Sequence, residues 1–257
     1  MYKRIVVKVG TKVLSKKDGS IDTKIVRHVV EQISALKKKG IQVILVTSGA
    51  VGTGRALLSA KDSGYVPQKQ MFAAVGQVKL MSMYAELFVK RGYLCAQVLA
   101  TKEDFRDREH YVNMKNCFEK LLHESVVPIV NENDVVAIAE LVFTDNDELV
   151  GLVAAQLHVD AVIILTGVDG VLADGRTVAL VNSKNAAGVR KYITAEKSTG
   201  GRGGMHTKFN VALKLAKRGI TTYIVNGKKR NVLVDVVAGK RLGTKFFPRS
   251  KAIQRKR

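Results

Sequence analysis

Apolar residues fall along this chain in two alternating rhythms: short unbroken runs, and longer stretches where they return every three or four positions. Ile5 to Val9 (IVVKV) is a β-branched run that stops at Gly10 and Thr11, the pattern of a strand feeding a loop. Asp22 to Lys39 then sets Ile25, Val26, Val29, Val30, Ile33 and Leu36 on one helical face, closing with lysines and Gly40. Ile41 to Val46 (IQVILV) predicts a second strand, followed by a Gly- and hydroxyl-rich loop, Thr47 to Gly54. Gln68 to Lys90 predicts a long helix, Tyr93 to Leu99 a strand, Asp107 to His123 a helix and Val126 to Val130 a strand. Glu148 to Leu157 predicts another helix and Ala161 to Leu165 another strand, with Thr177 to Val181 and Val189 to Ile193 as short excursions around a hairpin. After the glycine-dense Ser198 to Lys208 comes a helix to Arg218, then a strand at Thr221 to Asn226 and a closing segment, Gly239 to Phe247. Strand and helix in turn predict an α/β fold with a mostly parallel central sheet and helices on both faces.

Length and composition narrow the class. With 257 residues and 46% apolar content the chain can bury a sizeable core, so one domain is expected over residues 1–249, with 250–257 a frayed basic tail. Formal net charge is +21, and residues 228–257 carry 11 Lys or Arg against one acid, Asp235. That balance invites a nucleic-acid or anionic-surface reading. The remaining basic residues fall largely on helix faces, such as Lys37, Lys38 and Lys39, where a solvated surface accounts for them. Cys95 and Cys117 are too few and too far apart for a disulfide framework or a zinc site, which fits a reducing cytosol; Cys95 reads as core. Lys3, Arg4 and Lys8 interrupt any N-terminal apolar core, and no apolar run approaches the ~18 residues of a membrane helix. A soluble, cytoplasmic protein without a membrane partner is expected.

The candidate chemistry lies where apolar runs end in polar clusters. Val126 to Val130 breaks into Asn131, Glu132, Asn133 and Asp134, and a second cluster follows at Asp145, Asn146 and Asp147. Such density after a core strand fits a ligand site at the strand's carboxyl end, although Asn and Asp also serve turns and caps. Asp147 would suit a helix N-terminus with or without a ligand. Lys8 needs an anionic partner if its strand is buried, and none if the strand is an edge facing water. The loop from Thr47 to Gly54 and the segment STGGRGGMHTK from Ser198 to Lys208 both expose backbone N–H groups suited to an anion. Lys208 in a first helical turn opposes the dipole unless an anion lies beside it, which favours a phosphate site over a plain flexible loop. No GK[ST], GxGxxG, HExxH or GxSxG motif is present, so P-loop, dinucleotide-binding, zincin and serine-hydrolase chemistries lose their support.

In order along the chain, VVKVGTKVL, VTSGAVGTGR, AAVGQ at Ala73 to Gln77, DRE at Asp107 to Glu109, PIVNENDVVA, DNDEL, ILTGVDGVL, GGRGGMHTK and LGTKF resemble the amino acid kinase family. VNEND followed by DNDEL resembles its glutamate-phosphorylating branch. The resemblance, from Ile5 to about Phe247, implies an open three-layer αβα sandwich and ATP-dependent phosphorylation of the γ-carboxylate of L-glutamate, opening proline biosynthesis. It implies that Lys8 and Lys208 flank the transferred phosphoryl group and that Asp147 orients both. Ser48, Gly49, Ala50, Asn131, Asp134 and Asn146 would serve glutamate, with Asp134 facing its α-ammonium. Lys8, Gly10, Thr166, Gly167 and the run Arg202, Gly203, Gly204, Met205, His206, Thr207 and Lys208 would serve the nucleotide. Mg²⁺ would be held mainly by the nucleotide's phosphates, with no dedicated protein metal site. The family resemblance also implies a homodimer or homotetramer through residues 68–122. Transient coupling to the glutamyl-phosphate reductase is a further partner expectation, and nucleic acid is not an expected one. Gly167, Leu172, Arg202 and His206 depart from the family pattern, all on the nucleotide side. Many relatives carry a C-terminal PUA module; this chain ends in a basic tail instead. Other carboxylate, carbamate or phosphate kinases of the same fold are the alternative, as is a basic nucleic-acid-binding protein retaining it.

A γ-carboxylate has a reference pKa of about 4.3 and is already a nucleophile at neutral pH. Phosphoryl transfer to it needs alignment and dispersed positive charge rather than a general base.

Overall fold

The six long apolar runs become strands of one eight-stranded sheet in the computed structural model, which describes residues 2–16, 18–61, 63–136, 146–193 and 204–248. The chain opens with β1 (Arg4–Val9), a single helical turn α1 (Thr11–Leu14) and α2 (Thr23–Lys38). Asp22 caps α2 by accepting from the Lys24 amide at 3.0 Å, and Gly40, at φ +77°, lets the chain turn into β2 (Gln42–Thr47). Next come α3 (Ala50–Leu57), α4 (Val66–Val89), β3 (Cys95–Ala100), a 3₁₀ turn and α5 (Arg108–His123), which Asp107 caps. β4 (Val127–Glu132), α6 (Asn146–Gln156) and β5 (Ala161–Thr166) follow, then the small hairpin of β6 (Leu172–Ala173) and β7 (Arg176–Thr177). The last elements are β8 (Leu180–Val181), α7 (Ala186–Arg190), α8 (Met205–Lys217), β9 (Thr221–Asn226), α9 (Val232–Val237) and β10 (Thr244–Phe246).

The strand order is β3-β4-β2-β1-β5-β9-β10-β8, and every described pairing in this sheet is parallel except β9 with β10. Two cores flank it. Ile5, Val7 and Val9 point toward α2, α4 and α9, while Val6 points toward α5, α6 and α8. That is the three-layer αβα sandwich expected from the sequence. The chain runs from β1 to one side through β2 and to the other through β5 and β9, so the strand order reverses about β1. In open α/β sheets, the crevice at the carboxyl ends beside such a reversal is where ligands bind.

Three local expectations need correction. The loop expected from Thr47 to Gly54 is only Ser48 and Gly49, with Gly49 at φ +108°, because α3 starts at Ala50. Gly52 and Gly54 are therefore helical. A Cβ at Gly54 would stand 1.9 Å from the Phe72 carbonyl, and one at Gly76 1.9 Å from that of Ala50, so these glycines let α3 and α4 pack backbone to backbone. Val189 to Ile193 is not a strand: Val189 lies in α7 and is buried against the second core. Cys95, read as core, is only half-buried, and burial raises its thiol pKa. The boundary at residue 249 and the tail 250–257 lie outside the described residues.

α4, at 24 residues, is long and apolar enough by composition to cross a membrane. Its inner stripe, Phe72, Ala73, Gly76, Gln77, Leu80, Tyr84 and Phe88, is buried, and Leu80, Tyr84 and Phe88 belong to the core shared with β1 and β2. That stripe carries an amide and a phenol that bond into the protein, so the helix packs as a covering helix of the sheet.

Candidate active site

Lys8 stands in the middle of the sheet, in register with Val46 of β2 and Ile164 of β5, and is 1% exposed. The edge-strand alternative is thereby eliminated. An ammonium group so deep requires an anion. The first turn of α6 supplies it: Asp147 Oδ1 lies 2.6 Å from Lys8 Nζ. The other carboxylate oxygen, Oδ2, accepts a hydrogen bond from Lys208 Nζ of α8 at 2.9 Å. Asp147 is 0% exposed and Lys208 8%, so the pair of ammonium groups is held by one carboxylate in a low-dielectric setting and retains a net positive charge. Glycine at position 10 leaves room beside this centre, since a Cβ there would come within 3.1 Å of Lys8 Nζ.

A line of carboxamides leads away from it. Asn146, next to Asp147, places Nδ2 2.6 Å from the Thr47 carbonyl, 2.9 Å from Ser48 Oγ and 2.9 Å from Asn131 Oδ1. Asn131, near the end of β4, donates through Nδ2 to Gln77 Oε1 at 2.9 Å, and Gln77 Nε2 donates to Gln97 Oε1 at 3.4 Å. Thr47 also shares a 2.9 Å hydrogen bond with Tyr84, whose phenol burial pushes well above the usual range. Of these residues Ser48, Asn131 and Asn146 were sequence candidates; Gln77, Gln97 and Tyr84 were not. The signal for Gln77 was present: it interrupts an apolar stripe at helical spacing, where only a partnered polar residue belongs.

Beyond the amides opens a cleft of ≈ 200 Å³, lined among the described residues by Ala50, Ala73, Gln77, Gln97, Glu132, Asn133 and Asp134 and others, none of them cationic. Asp134 is half-buried in the turn after β4, and Gly49 and Ala50 form the junction of β2 with α3. The structure thus gathers Lys8, Asp147 and Lys208 into one ion cluster and Ser48, Asn131 and Asn146 into a hydrogen-bonded line, the two meeting at the adjacent residues Asn146 and Asp147, with Asp134 lining the adjoining cleft.

The nucleotide-side candidates are more dispersed. Thr166 ends β5, its carbonyl accepting from the Gly227 amide at 2.9 Å, and Gly167 is exposed beyond it. Nearby, Asp169 is held below the usual carboxylate range by Lys229, 2.8 Å away, and by Asn226. Gly204 precedes α8, whose first turn holds Met205, His206 and Thr207; His206 is exposed, with Nδ1 3.2 Å from Asn210 Nδ2. Arg202, Gly203 and Asp145 lie outside the described residues. Among the described residues no cluster of three or more His, Cys, Asp or Glu stands ready to ligate a metal.

A crevice at the strand carboxyl ends and a buried carboxylate between two lysines define a phosphoryl-transfer class, and the sequence profile of the amino acid kinase family matches residues 3–226. The chain belongs to that family. It is 48% identical, over an alignment of 261 positions, to the glutamate 5-kinase of Chlorobaculum tepidum, covering 100% of this chain and 72% of that protein. The glutamate 5-kinase of Bacteroides thetaiotaomicron is 44% identical over 259 positions, covering 98% and 72% respectively. Among solved structures, the carbamate kinase from Giardia lamblia bound to AMP-PNP superposes with a TM-score of 0.71 over 96% of this chain and 99% of that one. At 16% identity that likeness speaks for the fold alone.

Proposed function

We propose that this chain is a glutamate 5-kinase, transferring the γ-phosphoryl group of ATP to the γ-carboxylate of L-glutamate and giving L-glutamyl 5-phosphate, the entry to proline biosynthesis. Similarity over nearly the whole of this chain to proteins of that name supports the acceptor. The observation that carries the chemistry is the single buried carboxylate of Asp147 holding Lys8 and Lys208 at 2.6 and 2.9 Å. A glutamate carboxylate oxygen forms the new O–P bond as the bond from the γ-phosphorus to the β–γ bridging oxygen breaks, and ADP leaves with that electron pair. Charge spreads onto the equatorial oxygens during transfer, and fixed ammonium groups stabilise it without reorganising. Asp147 fixes where those groups point.

Asn146, Asn131 and Ser48 orient the acceptor in this reading, and Asp134, which lines the adjoining cleft, receives its α-ammonium. Gly10, Thr166, Gly167 and the segment from Arg202 to Lys208 serve the nucleotide. Asp147 is engaged by two ammonium groups, so Mg²⁺ fits best on the phosphate oxygens of the nucleotide, where it would neutralise charge on the leaving group. The apolar outer face of α4, including Met71 and Val78, is exposed and suits a second copy of the chain. We place the enzyme in the cytoplasm, where its free cysteines stay reduced, and its acyl-phosphate product makes direct hand-off to the reductase advantageous.

Incubation with Mg-ATP and L-glutamate, with hydroxylamine as trap, is expected to give ADP and γ-glutamyl hydroxamate in equal amounts. Turnover with carbamate or N-acetyl-L-glutamate but not with L-glutamate would overturn the assignment.

A further inference from the structure

Gln77 has no part in the phosphoryl-transfer centre, yet it is 8% exposed on the inner stripe of α4 and touches both the carboxamide line and the cleft. A carboxamide has one accepting oxygen and one donating nitrogen, so each link in such a line sets the polarity of the next. Gln77 Oε1 accepts from Asn131 Nδ2, which leaves Asn131 Oδ1 to accept from Asn146 Nδ2. With Asn131 turned the other way, two NH₂ groups would face each other at the 2.9 Å now spanned by a hydrogen bond. Asn146 would then lose one of the three contacts that hold its carboxamide beside Ser48.

We infer that Gln77 is a positioning residue for the acceptor: it fixes the orientation of the Asn131 carboxamide, and through it that of Asn146, so that both meet the amino-acid substrate with the correct group. The inference rests on the glutamate-kinase reading. Removing the acceptor oxygen at position 77 therefore weakens glutamate binding while leaving the nucleotide side, built on β5, β9 and α8, unaffected. Gln77 Nε2 donates to Gln97 Oε1 at 3.4 Å, which keeps the Gln77 oxygen turned inward.

The test is steady-state kinetics on Gln77→Met, Gln77→Ala and Gln77→Glu. Methionine keeps the volume without the acceptor, and alanine is a good helix former, so it covers the case in which the methionine variant does not fold. Both are expected to raise KM for glutamate at least tenfold while KM for ATP stays within twofold. Gln77→Glu retains an oxygen acceptor at the same reach and is expected to recover most of the loss. In the double variant with Asn131→Ala, the Gln77 change should add less than twofold, because its effect runs through Asn131. The inference is overturned if KM for glutamate stays within twofold, if both substrates weaken alike, if Gln77→Glu is no better than Gln77→Met, or if the effects multiply in the double variant. Absence of glutamate turnover in the unaltered protein would instead overturn the function assigned above.

Discussion

Asp147→Asn is expected to lower kcat by about a hundred- to a thousandfold, the range seen when one preorganised electrostatic element is lost, and to remove about 3–5 kcal/mol of stability. Both effects have one origin. Asparagine keeps the shape of the side chain but not its charge, so Lys8, 1% exposed, is left in the core without its counter-ion. The cost of an uncompensated buried charge exceeds what the intact ion pair contributes, which is why removal of one partner is so destabilising. Lys208, at 2.9 Å on the same carboxylate, loses its anchor together with Lys8. Two ammonium groups that repel each other no longer hold the geometry that the transfer needs. The anionic nucleotide is attracted to them all the same, so KM for ATP should not rise as the rate falls. Urea denaturation alongside initial rates checks both halves; a loss of ATP affinity with an unchanged kcat would show that Asp147 serves binding rather than transfer.

Gly76→Ala is expected to destabilise the protein by about 1–3 kcal/mol, the usual cost of forcing atoms into a packed interior, and to raise KM for glutamate. The new methyl carbon would lie 1.9 Å from the Ala50 carbonyl oxygen and 2.5 Å from the Gly54 amide nitrogen. Neither neighbour is a side chain that could rotate away, so α3 and α4 must separate. α3 carries Ala50 and α4 carries Gln77, both in the lining of the cleft, so separation widens the acceptor side and leaves the nucleotide side in place. Thermal unfolding and glutamate titration check this; an unaltered melting temperature would mean that the two helices do not need to touch.

The six long strands were legible because each is a short, mostly apolar run, and the alternation of strands with amphipathic helices permits few architectures. Lys8 was legible for the same reason, since a lysine in a buried run calls for an anion elsewhere in the chain. Its partner could not be read from spacing alone. Asp147 suits a helix N-terminus on its own account, and only the packing of α6 and α8 onto one face of β1 brings it between Lys8 and Lys208. The start of α3 was hidden because Thr-Ser-Gly-Ala-Val-Gly-Thr-Gly has the composition of a loop. It is helical because its glycines admit α4, a tertiary contact that overrides local propensity. α9, only six residues long, fell below what periodicity can detect. Gln77 reads in the sequence as one polar residue in an apolar helix, although a buried amide must find a partner.

We propose that Lys8 and Lys208 act together on one phosphoryl group, and single-turnover transfer from ATP to glutamate tests this most directly. With Lys8→Met and Lys208→Met prepared as folded proteins, each is expected to slow transfer by about a hundredfold or more, and the double variant by far less than the product of the two, as for groups that act as a unit. Transfer at the unaltered rate in either folded variant would contradict this proposal.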